Sequence, residues 1–374
     1  MDIHHILTGR GDATLIVSPR GRLALIDAGA ATGDPAAMVP ARPNASRRPG
    51  EWIARYVARR MAETGAPGLD SLTLTHLHPD HIGGMRDDLP YAPGRHFRLT
   101  GASDVAAAVP VTTLLDPDFP DYDPARFEDR EGAANYVAFA RARAEAGAHC
   151  ERLAVGTTGQ LLRDEPDFSV RTVASRGRVW TGRRDASAAV FRLPRGQGGA
   201  GMPNENSASA AILLSCGSFR YFAGGDLTDW ADGGARPERN ALTPVARACG
   251  AVDVAVAPHH GMYDAASSET VRALAARVWL VSAWHAAHPS LPTLERLTNP
   301  RLYGGERQVF ATDVHPAAVL AMPWAVARLA GRGGHLLCRV HPGGDRYQIA
   351  VVDAADERDS PLLVTPPILA RRAR

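Results

Sequence analysis

The chain has 374 residues, of which 45% are hydrophobic and 22% are charged, a composition typical of a folded protein with a sizeable core. All of its basic residues are arginine, which excludes mechanisms that need a lysine, such as Schiff-base formation or a lysine-dependent phosphate loop. The formal net charge of +2 provides no strong overall field for capturing nucleic acid or an anionic membrane, although a local basic patch is compatible with it.

The first part of the chain predicts a hairpin, a helix and a strand. Two short apolar runs in DATLIVSPRGRLALIDAG flank a Pro-Arg-Gly turn, which predicts a β-hairpin that ends at Asp27. Apolar residues recur at helical spacing in EWIARYVARRMAETG, and SLTLTH then alternates as a strand does. Strand, helix and strand in this order, with polar chemistry at the carboxyl end of the last strand, indicate an α/β fold.

Residues 86–203 have a looser pattern, which we interpret as a long insertion or loop region. It contains an acidic, proline-rich loop, a predicted helix in NYVAFARARAEAGAH and short strands up to Ser175. The glycine- and arginine-rich residues 176–203 show no clear period and are expected to form a surface loop, either a lid or a linker. The arginines of this loop are either a solvated face or a binding site for substrate phosphates.

The second half repeats the alternation of strands and helices. A hairpin in ASAAILLSCGSFRYFAGGD ends at Asp226, and a strand in DVAVAPHHG ends at His259 and His260. Further strands are predicted in RVWLVSA, RQVFATD, HLLCRV and RYQIAVVD. We therefore predict a single domain over residues 1–353, followed by a C-terminal tail at 354–374.

The stretch THLHPDHIGG brings four side chains that can bind a metal into six residues: His76, His78, Asp80 and His81. Alternate residues of an extended segment point the same way, so His76 and His78 can bind one ion together. Asp80 and His81 lie where the chain turns into a helix and can reach a neighbouring ion. Imidazole and carboxylate ligands without a thiolate suit zinc or manganese at a catalytic site rather than a closed structural one.

THLHPDHIGG is also the signature of the metallo-β-lactamase fold, an αββα sandwich of two mixed β-sheets flanked by helices, with a two-metal site at one edge. Further segments resemble, in the same order, the soluble hydrolase domain of the DNA-uptake protein ComEC. These segments are GRGDATLIVSPRGRLALIDAG, NENSASAAILLSCGSFRYFAGGD, APHHG, VSAWHAAHPS and VFATD. The resemblance covers about residues 7–353.

The resemblance implies a site with two divalent metal ions, zinc or alternatively manganese. One ion would be held by His76 and His78. The other would be held by Asp80 and His81. Asp226 would bridge both ions.

Other residues are implied to complete or support this site. We expect His260 to be the last ligand of the second ion, and His259 to contact the substrate or support a ligand. Asp27 resembles the buried acid that orients the metal-binding strand. The remaining groups implied at the edge of the site are Asn206, Ser207 and His288.

The sequence departs from the family pattern in several places. The family has an additional histidine ligand between the first motif and the bridging aspartate, whereas His96 and His149 lie in this interval without a recognisable motif. Arg10 replaces the usual glutamine, and Met262 replaces the serine after HHG. No channel segment is present, so the resemblance is to a free-standing version. These departures leave the fold unaffected and the substrate open.

The activity implied is that of a hydrolase in which two metal ions activate a water molecule. A phosphodiester, in nucleic acid or in a smaller phosphoester, is the substrate that the match and the arginine-rich loop favour. Asp80 or Asp226 would hold the water, and His259 would donate a hydrogen bond to the developing oxyanion. Hydrolysis of a carboxylic ester, lactone or amide is one alternative, and a non-catalytic metal- or nucleic-acid-binding module is another.

The sequence also predicts a cytoplasmic protein without a membrane partner. Its four cysteines are scattered with no Cys-x-x-Cys pair, which fits a reducing compartment. The first residues are polar and contain no signal-peptide core. The longest apolar stretch, residues 317–327, is broken by Pro323 and is too short to span a bilayer. The oligomeric state is left open.

Overall fold

The computed structural model describes residues 1–198 and 202–371, which form two β-sheets with helices on their outer faces. The strands are β1 (Asp2–His5), β2 (Thr14–Val17), β3 (Leu23–Ile26), β4 (Leu69–Thr73), β5 (Val111–Asp116), β6 (His149–Arg152), β7 (Phe168–Ser175), β8 (Arg178–Trp180), β9 (Ser187–Ala189), β10 (Ala211–Cys216), β11 (Phe219–Ala223), β12 (Val254–Val256), β13 (Val278–Val281), β14 (Gln308–Ala311), β15 (Gly331–Arg332), β16 (His335–Val340), β17 (Arg346–Val352), β18 (Pro361–Val364) and β19 (Ile368–Leu369). The α-helices are α1 (Pro49–Thr64), α2 (Pro79–Ile82), α3 (Ala102–Ala108), α4 (Arg130–Glu145), α5 (Leu242–Cys249), α6 (Ser268–Leu274), α7 (Leu291–Thr298), α8 (Pro316–Ala321) and α9 (Pro323–Val326).

Both sheets are mixed. The first has the strand order β18-β17-β16-β1-β2-β3-β4-β5-β6, with β19 also paired to β17. It is antiparallel from β18 to β3 and parallel from β3 to β6. The second has the order β15-β14-β13-β12-β11-β10-β7-β8-β9, parallel from β15 to β11 and antiparallel from there to β9.

Three apolar cores separate the four layers. Tyr221 and Tyr347, both fully buried, belong to the core between the two sheets. The outer face of the first sheet packs against α1, α3 and α4 through residues such as Ile53, and the second packs against α5 to α7 through Leu242 and Leu294. Each such buried side chain contributes about 1.5–3 kcal/mol of hydrophobic free energy. The predicted αββα sandwich is therefore confirmed.

The predicted hairpins and the first helix form where the local patterns place them. Thr14 pairs with Ile26 across β2 and β3, and the hairpin ends at Asp27, as predicted. In α1 the buried residues recur at helical spacing, a proline occupies the first turn, and Gly65 ends the helix in the left-handed region at φ 73°. The strands predicted after Asp226 are also present.

Residues 86–203 do more than form a peripheral loop. Within them β5 and β6 extend the first sheet in parallel with β4, and β7 pairs with β10 in the second sheet. The prediction of a surface loop over 176–203 is wrong for its first part, because β8 and β9 pair there. Arg176 and Gly177 have φ values of 53° and 76°, and two positive values in succession favour a tight hairpin. Residues 199–201 of the predicted loop lie outside the described residues.

The segment after residue 353 also contributes to the fold. The sequence predicts a tail here, whereas β18 and β19 both pair with β17 at the edge of the first sheet. The boundary at residue 353 stays a prediction.

Within residues 1–198 and 202–371, no helix is long and apolar enough to cross a membrane.

Candidate metal centre

Four side chains that can bind a metal converge at one edge of the sandwich. Asp80 and His81 follow β4, Asp226 follows β11, and His260 follows β12. One potential ligand atom from each of these four residues lies within 4.8 Å of the others. The carboxyl ends of strands from both sheets therefore bring these four side chains into a single cluster.

Asp226 lies at the middle of this cluster. Its Oδ2 atom is 3.2 Å from His81 Nε2, 3.3 Å from His260 Nε2 and 3.8 Å from His76 Nε2. Asp80 Oδ2 lies 2.9 Å from His260 Nε2 and 3.5 Å from His81 Nε2. One carboxylate oxygen thus faces histidines from both halves of the motif.

The other two motif histidines face each other. His76 Nε2 and His78 Nδ1 are 3.1 Å apart. Two nitrogen ligands of one tetrahedral zinc ion, each about 2.0–2.1 Å from the metal, are separated by about 3.3 Å. The spacing between His76 and His78 therefore suits joint binding of one ion.

His81 is oriented by a buried aspartate. Its Nδ1 atom lies 2.8 Å from Asp27 Oδ2, and Asp27 Oδ1 accepts a hydrogen bond of 2.8 Å from the backbone N–H of Thr75. With Nδ1 held in this way, Nε2 is directed into the cluster. A carboxylate on the distal nitrogen of a histidine fixes its ring orientation and tautomer, as is usual for metal ligands.

His78 has a similar partner on its outer side. Its Nε2 atom lies 3.2 Å from Glu128 Oε2, while the other carboxylate oxygen of Glu128 accepts a 3.0 Å hydrogen bond from the backbone N–H of Glu205. His78 Nδ1 therefore faces His76 Nε2, where the two nitrogens could bind one ion. Glu128 comes from the loop before α4, 50 residues beyond the motif.

The two remaining histidines are held by neutral and acidic groups. His76 Nδ1 lies 3.1 Å from Thr75 Oγ1 and 3.3 Å from Ser209 Oγ. His260 Nδ1 lies 3.2 Å from both the carbonyl oxygen of Ser282 and Asp12 Oδ1. Ser209 Oγ also accepts a 3.1 Å hydrogen bond from the backbone of Asp226, so it joins the two halves of the site. Each of the four histidines thus has one nitrogen in the centre and the other fixed outside it.

Two glycines allow the backbone to approach closely here. A Cβ atom on Gly29 would lie 2.0 Å from the carbonyl oxygen of Asp80, which accepts a 2.9 Å hydrogen bond from the backbone N–H of Asp12. A Cβ atom on Gly225, whose φ is 50°, would lie 2.3 Å from Ser209 Oγ. The positions of Asp80 and Asp226 therefore depend on glycines beside them.

The electrostatics of the cluster keep its carboxylates ionised. Burial opposes charge on every member, but mutual attraction outweighs it for two acid–base pairs. The pKa values of Asp80 and Asp226 lie well below their ordinary range, and those of His81 and His260 lie well above theirs. Burial and the adjacent His81 together hold the pKa of His76 well below its ordinary value.

The residues present fit a divalent metal. Asp226 Oδ1 is buried and makes no hydrogen bond to any described residue. Buried polar atoms without a partner are costly and uncommon in folded proteins, and metal coordination would satisfy this one. The nitrogen and oxygen donors, with no cysteine among them, suit zinc or manganese.

The other predicted site residues lie around the cluster. His259 is outside it, with Nδ1 2.8 Å from Asp264 Oδ1 and Nε2 3.0 Å from Asn206 Nδ2. Ser207 Oγ is 3.2 Å from the hydroxyl of Thr228, and the ring of His288 stacks on that of His260 at 4.7 Å. The predicted contact of His259 with an oxyanion stays a prediction.

Sequence reasoning missed several supporting residues. Glu128 lies in an acidic loop with no motif, and Ser209 lies just beyond the predicted Asn-Ser pair. Asp12 and Thr75 lie within the segments that carried the resemblance, so their positions beside the motifs were the available signal. His149 pairs instead with Glu151, and His96 is exposed, so neither of these histidines joins the cluster.

The comparisons with known proteins give structural likeness only. No protein-family model matches the chain, and no curated protein matches it. Among solved structures, the chain is similar to a variant of the CmlA beta-hydroxylase, with 14% identity and a TM-score of 0.42, covering 91% of this chain and 54% of that one. It thus spans about half the length of that protein.

Two smaller proteins are also similar. A diphosphatase of the PhnP family shares 12% identity at a TM-score of 0.34, over 90% of this chain and 97% of that one. Zinc-bound PqqB from Methylobacterium extorquens shares 14% identity at a TM-score of 0.34, over 87% of this chain and 86% of that one.

Proposed function

We propose that this chain is a two-metal hydrolase of the metallo-β-lactamase fold that cleaves a phosphodiester bond. The observation that carries the proposal is the buried cluster in which Asp226 Oδ2 faces histidines from both halves of the motif. His76 and His78 would hold one zinc or manganese ion. Asp80, His81 and His260 would hold the other, with Asp226 between them.

Bound divalent ions would supply positive charge that lowers the pKa of a water molecule and stabilises negative charge on the reacting oxygens. The protein holds the ligands in one geometry through their outer partners, so little reorganisation is needed during the reaction. Asp80 is an ionised carboxylate on the more exposed side of the cluster, where it can accept a hydrogen bond from an attacking water. No nucleophilic side chain is required.

The choice of a phosphodiester is supported by the ordered resemblance of the motifs and by the arginines that follow β7. Arg176 and Arg178 start this basic segment, and Arg176 forms an ion pair with Glu205 beside the predicted site. Guanidinium groups match phosphate oxygens in shape and charge. A nucleic acid or a smaller phosphoester would satisfy this chemistry equally.

The proposal is tested by hydrolysis of bis(p-nitrophenyl) phosphate with zinc- or manganese-loaded protein. Asp80→Ala should reduce kcat by at least about a hundredfold, because it removes a charge that contacts the reacting groups. Asp87→Ala is a matched control, since Asp87 is exposed and lies seven residues further along. If the wild type with full metal content cleaves no phosphodiester but opens a lactone or ester, the substrate class is wrong.

A further inference from the structure

A cavity of about 660 Å³ lies between the loops that follow β5 and β7 and the hairpin β8–β9. Its walls carry three aspartates and six arginines: Arg126, Arg152, Arg176, Arg178, Arg192 and Arg195. The proposed metal centre does not use any of these arginines. A cavity of this size is large enough for a nucleotide-sized group.

The cavity is joined to the histidine motif through one buried carboxylate. Glu205 is 2% exposed, and its Oε1 atom accepts hydrogen bonds of 3.2 Å from both Arg126 and Arg176. Its Oε2 atom lies 3.5 Å from the backbone nitrogen of Leu77, the residue between the first two motif histidines. Glu205 therefore contacts both the wall of the cavity and the backbone between His76 and His78.

Most of the arginines in the cavity are neutralised by nearby acids. Asp118 lies 2.9 Å from Arg176 Nε, and Asp121 lies 2.8 Å from Arg152 and 3.3 Å from Arg195. Arg126 is neutralised by the buried carboxylate that it shares with Arg176. These pairs fix the shape of the wall but leave little net charge at that end.

Two other arginines of the cavity have no such acid. Arg178 uses one guanidinium nitrogen to contact the oxygens of Ser187, and no described carboxylate pairs with it. Arg192 is exposed, and no ion pair joins it to the rest of the described chain. The third aspartate of the cavity, Asp123, is occupied by backbone N–H groups of Ala125 and Gly196. The positive charge is therefore concentrated at Arg178 and Arg192.

We propose that this cavity binds a phosphate group of the substrate that is remote from the bond being cleaved. The proposal rests on the proposed phosphodiesterase function and adds a second point of recognition to it. Two guanidinium groups without acidic partners provide the donors that a phosphate needs, and the paired arginines elsewhere in the wall limit its position. The substrate then carries at least two phosphates, either along a nucleic acid strand or within a small molecule.

The test measures binding rather than turnover. Zinc-loaded protein is titrated into a fluorescently labelled thymidine pentamer with phosphorothioate linkages, which resist cleavage, and anisotropy is followed over a range of salt concentrations. The double variant Arg178→Ala/Arg192→Ala should bind about tenfold more weakly, and the slope of log Kd against log salt should fall by about 0.7, the value for one phosphate no longer neutralised on a single strand. The control is Arg301→Ala/Arg346→Ala, which removes two exposed arginines outside the cavity.

A second arm titrates inorganic pyrophosphate by calorimetry. If the double variant binds the pentamer more weakly than its control does, the substrate is a nucleic acid strand. If it binds only pyrophosphate more weakly, the substrate is a small phosphoester. If neither ligand distinguishes the double variant from its control, the proposal is overturned. Should the double variant unfold, Arg192→Ala alone is compared with the control in the same two titrations, and equal binding overturns the proposal. Failure of the wild type to cleave bis(p-nitrophenyl) phosphate would instead refute the proposed function, so the two failures are distinguishable.

Discussion

The contact between His78 and Glu128 should control the affinity of the ion that His76 and His78 are proposed to hold. Glu128→Gln keeps the size of the side chain but removes the charge that favours the Nε2–H tautomer of His78. Loss of such an outer partner typically lowers metal affinity 10- to 100-fold, or about 1.4–2.7 kcal/mol. The Glu128 side chain is 45% exposed, so water competes for the contact, and we expect an effect near tenfold.

Asp27→Asn should lower the affinity of the other proposed ion, the one assigned to Asp80, His81 and His260. Asp27 is buried, and it holds both His81 Nδ1 and the backbone of Thr75. Water cannot replace these buried contacts, so metal affinity should fall by about a hundredfold, the upper end of the range for loss of an outer partner. The two substitutions should therefore weaken different steps of a two-step binding curve.

The assay is titration of metal-free protein with cobalt or zinc, followed by absorption spectra and by metal content after dialysis at buffered metal concentrations. Glu131→Gln serves as the control for Glu128, because Glu131 is exposed in the first turn of α4. If Glu128→Gln binds both ions as this control does, Glu128 does not orient His78. If both substitutions weaken the same step, the division of the ligands between two ions is wrong.

Burial, close packing and metal binding each lead to one further prediction. Burial lowers the pKa of His4 to about 3 and those of His5 and His335 to about 4, against an ordinary value of 6.5. The unfolded chain therefore takes up protons that the folded chain does not as the pH falls from about 6.5 to 4, and acidification from pH 7 to 5.5 should cost about 1 kcal/mol per histidine. Urea unfolding at the two pH values measures this loss, and an unchanged free energy of unfolding would contradict it. Gly29→Ala should displace Asp80 and destabilise the fold by about 1–3 kcal/mol, since the added methyl group meets a backbone oxygen at 2.0 Å; an unchanged Tm together with full metal content would argue against this. Removal of metal by a chelator should lower Tm by several degrees, because ions bound only to the folded state stabilise it, and scanning calorimetry with and without added zinc tests this.

The parts of the site that the sequence predicted are those with local signals. The motif that contains His76 to His81, and the hairpins that end at Asp27 and Asp226, are each defined within about 20 residues of sequence. Strands that follow such patterns deliver their last residues to the carboxyl edge of a sheet, so the convergence of these groups follows from topology. Hydrophobic alternation and turn residues predicted these strands, whereas the grouping of Asp226 and His260 with the motif came from the family resemblance.

The parts that the sequence did not predict depend on contacts between distant segments. Glu128 lies in a loop whose acidic composition resembles any solvated surface, and only its position 3.2 Å from His78 indicates a role. The strands β8 and β18 are three and four residues long, and each exists because a neighbouring strand offers hydrogen bonds. Short strands carry too few residues for a period to be recognised, so tertiary pairing decides them.

The distribution of exposure around the cluster indicates the side from which substrate would reach it. His76, His81 and His260 are at most 2% exposed, whereas His78 and Asp80 are 17% and 16% exposed. The ion proposed for His76 and His78 also has fewer proposed ligands than the ion proposed for Asp80, His81 and His260. Catalytic metal sites keep an open position for water or substrate, whereas structural sites close their coordination shell. His78 and Asp80, one ligand from each proposed ion, therefore mark the exposed side of the cluster, and the ion with fewer ligands, next to the arginine-lined cavity, is the one that should meet the substrate.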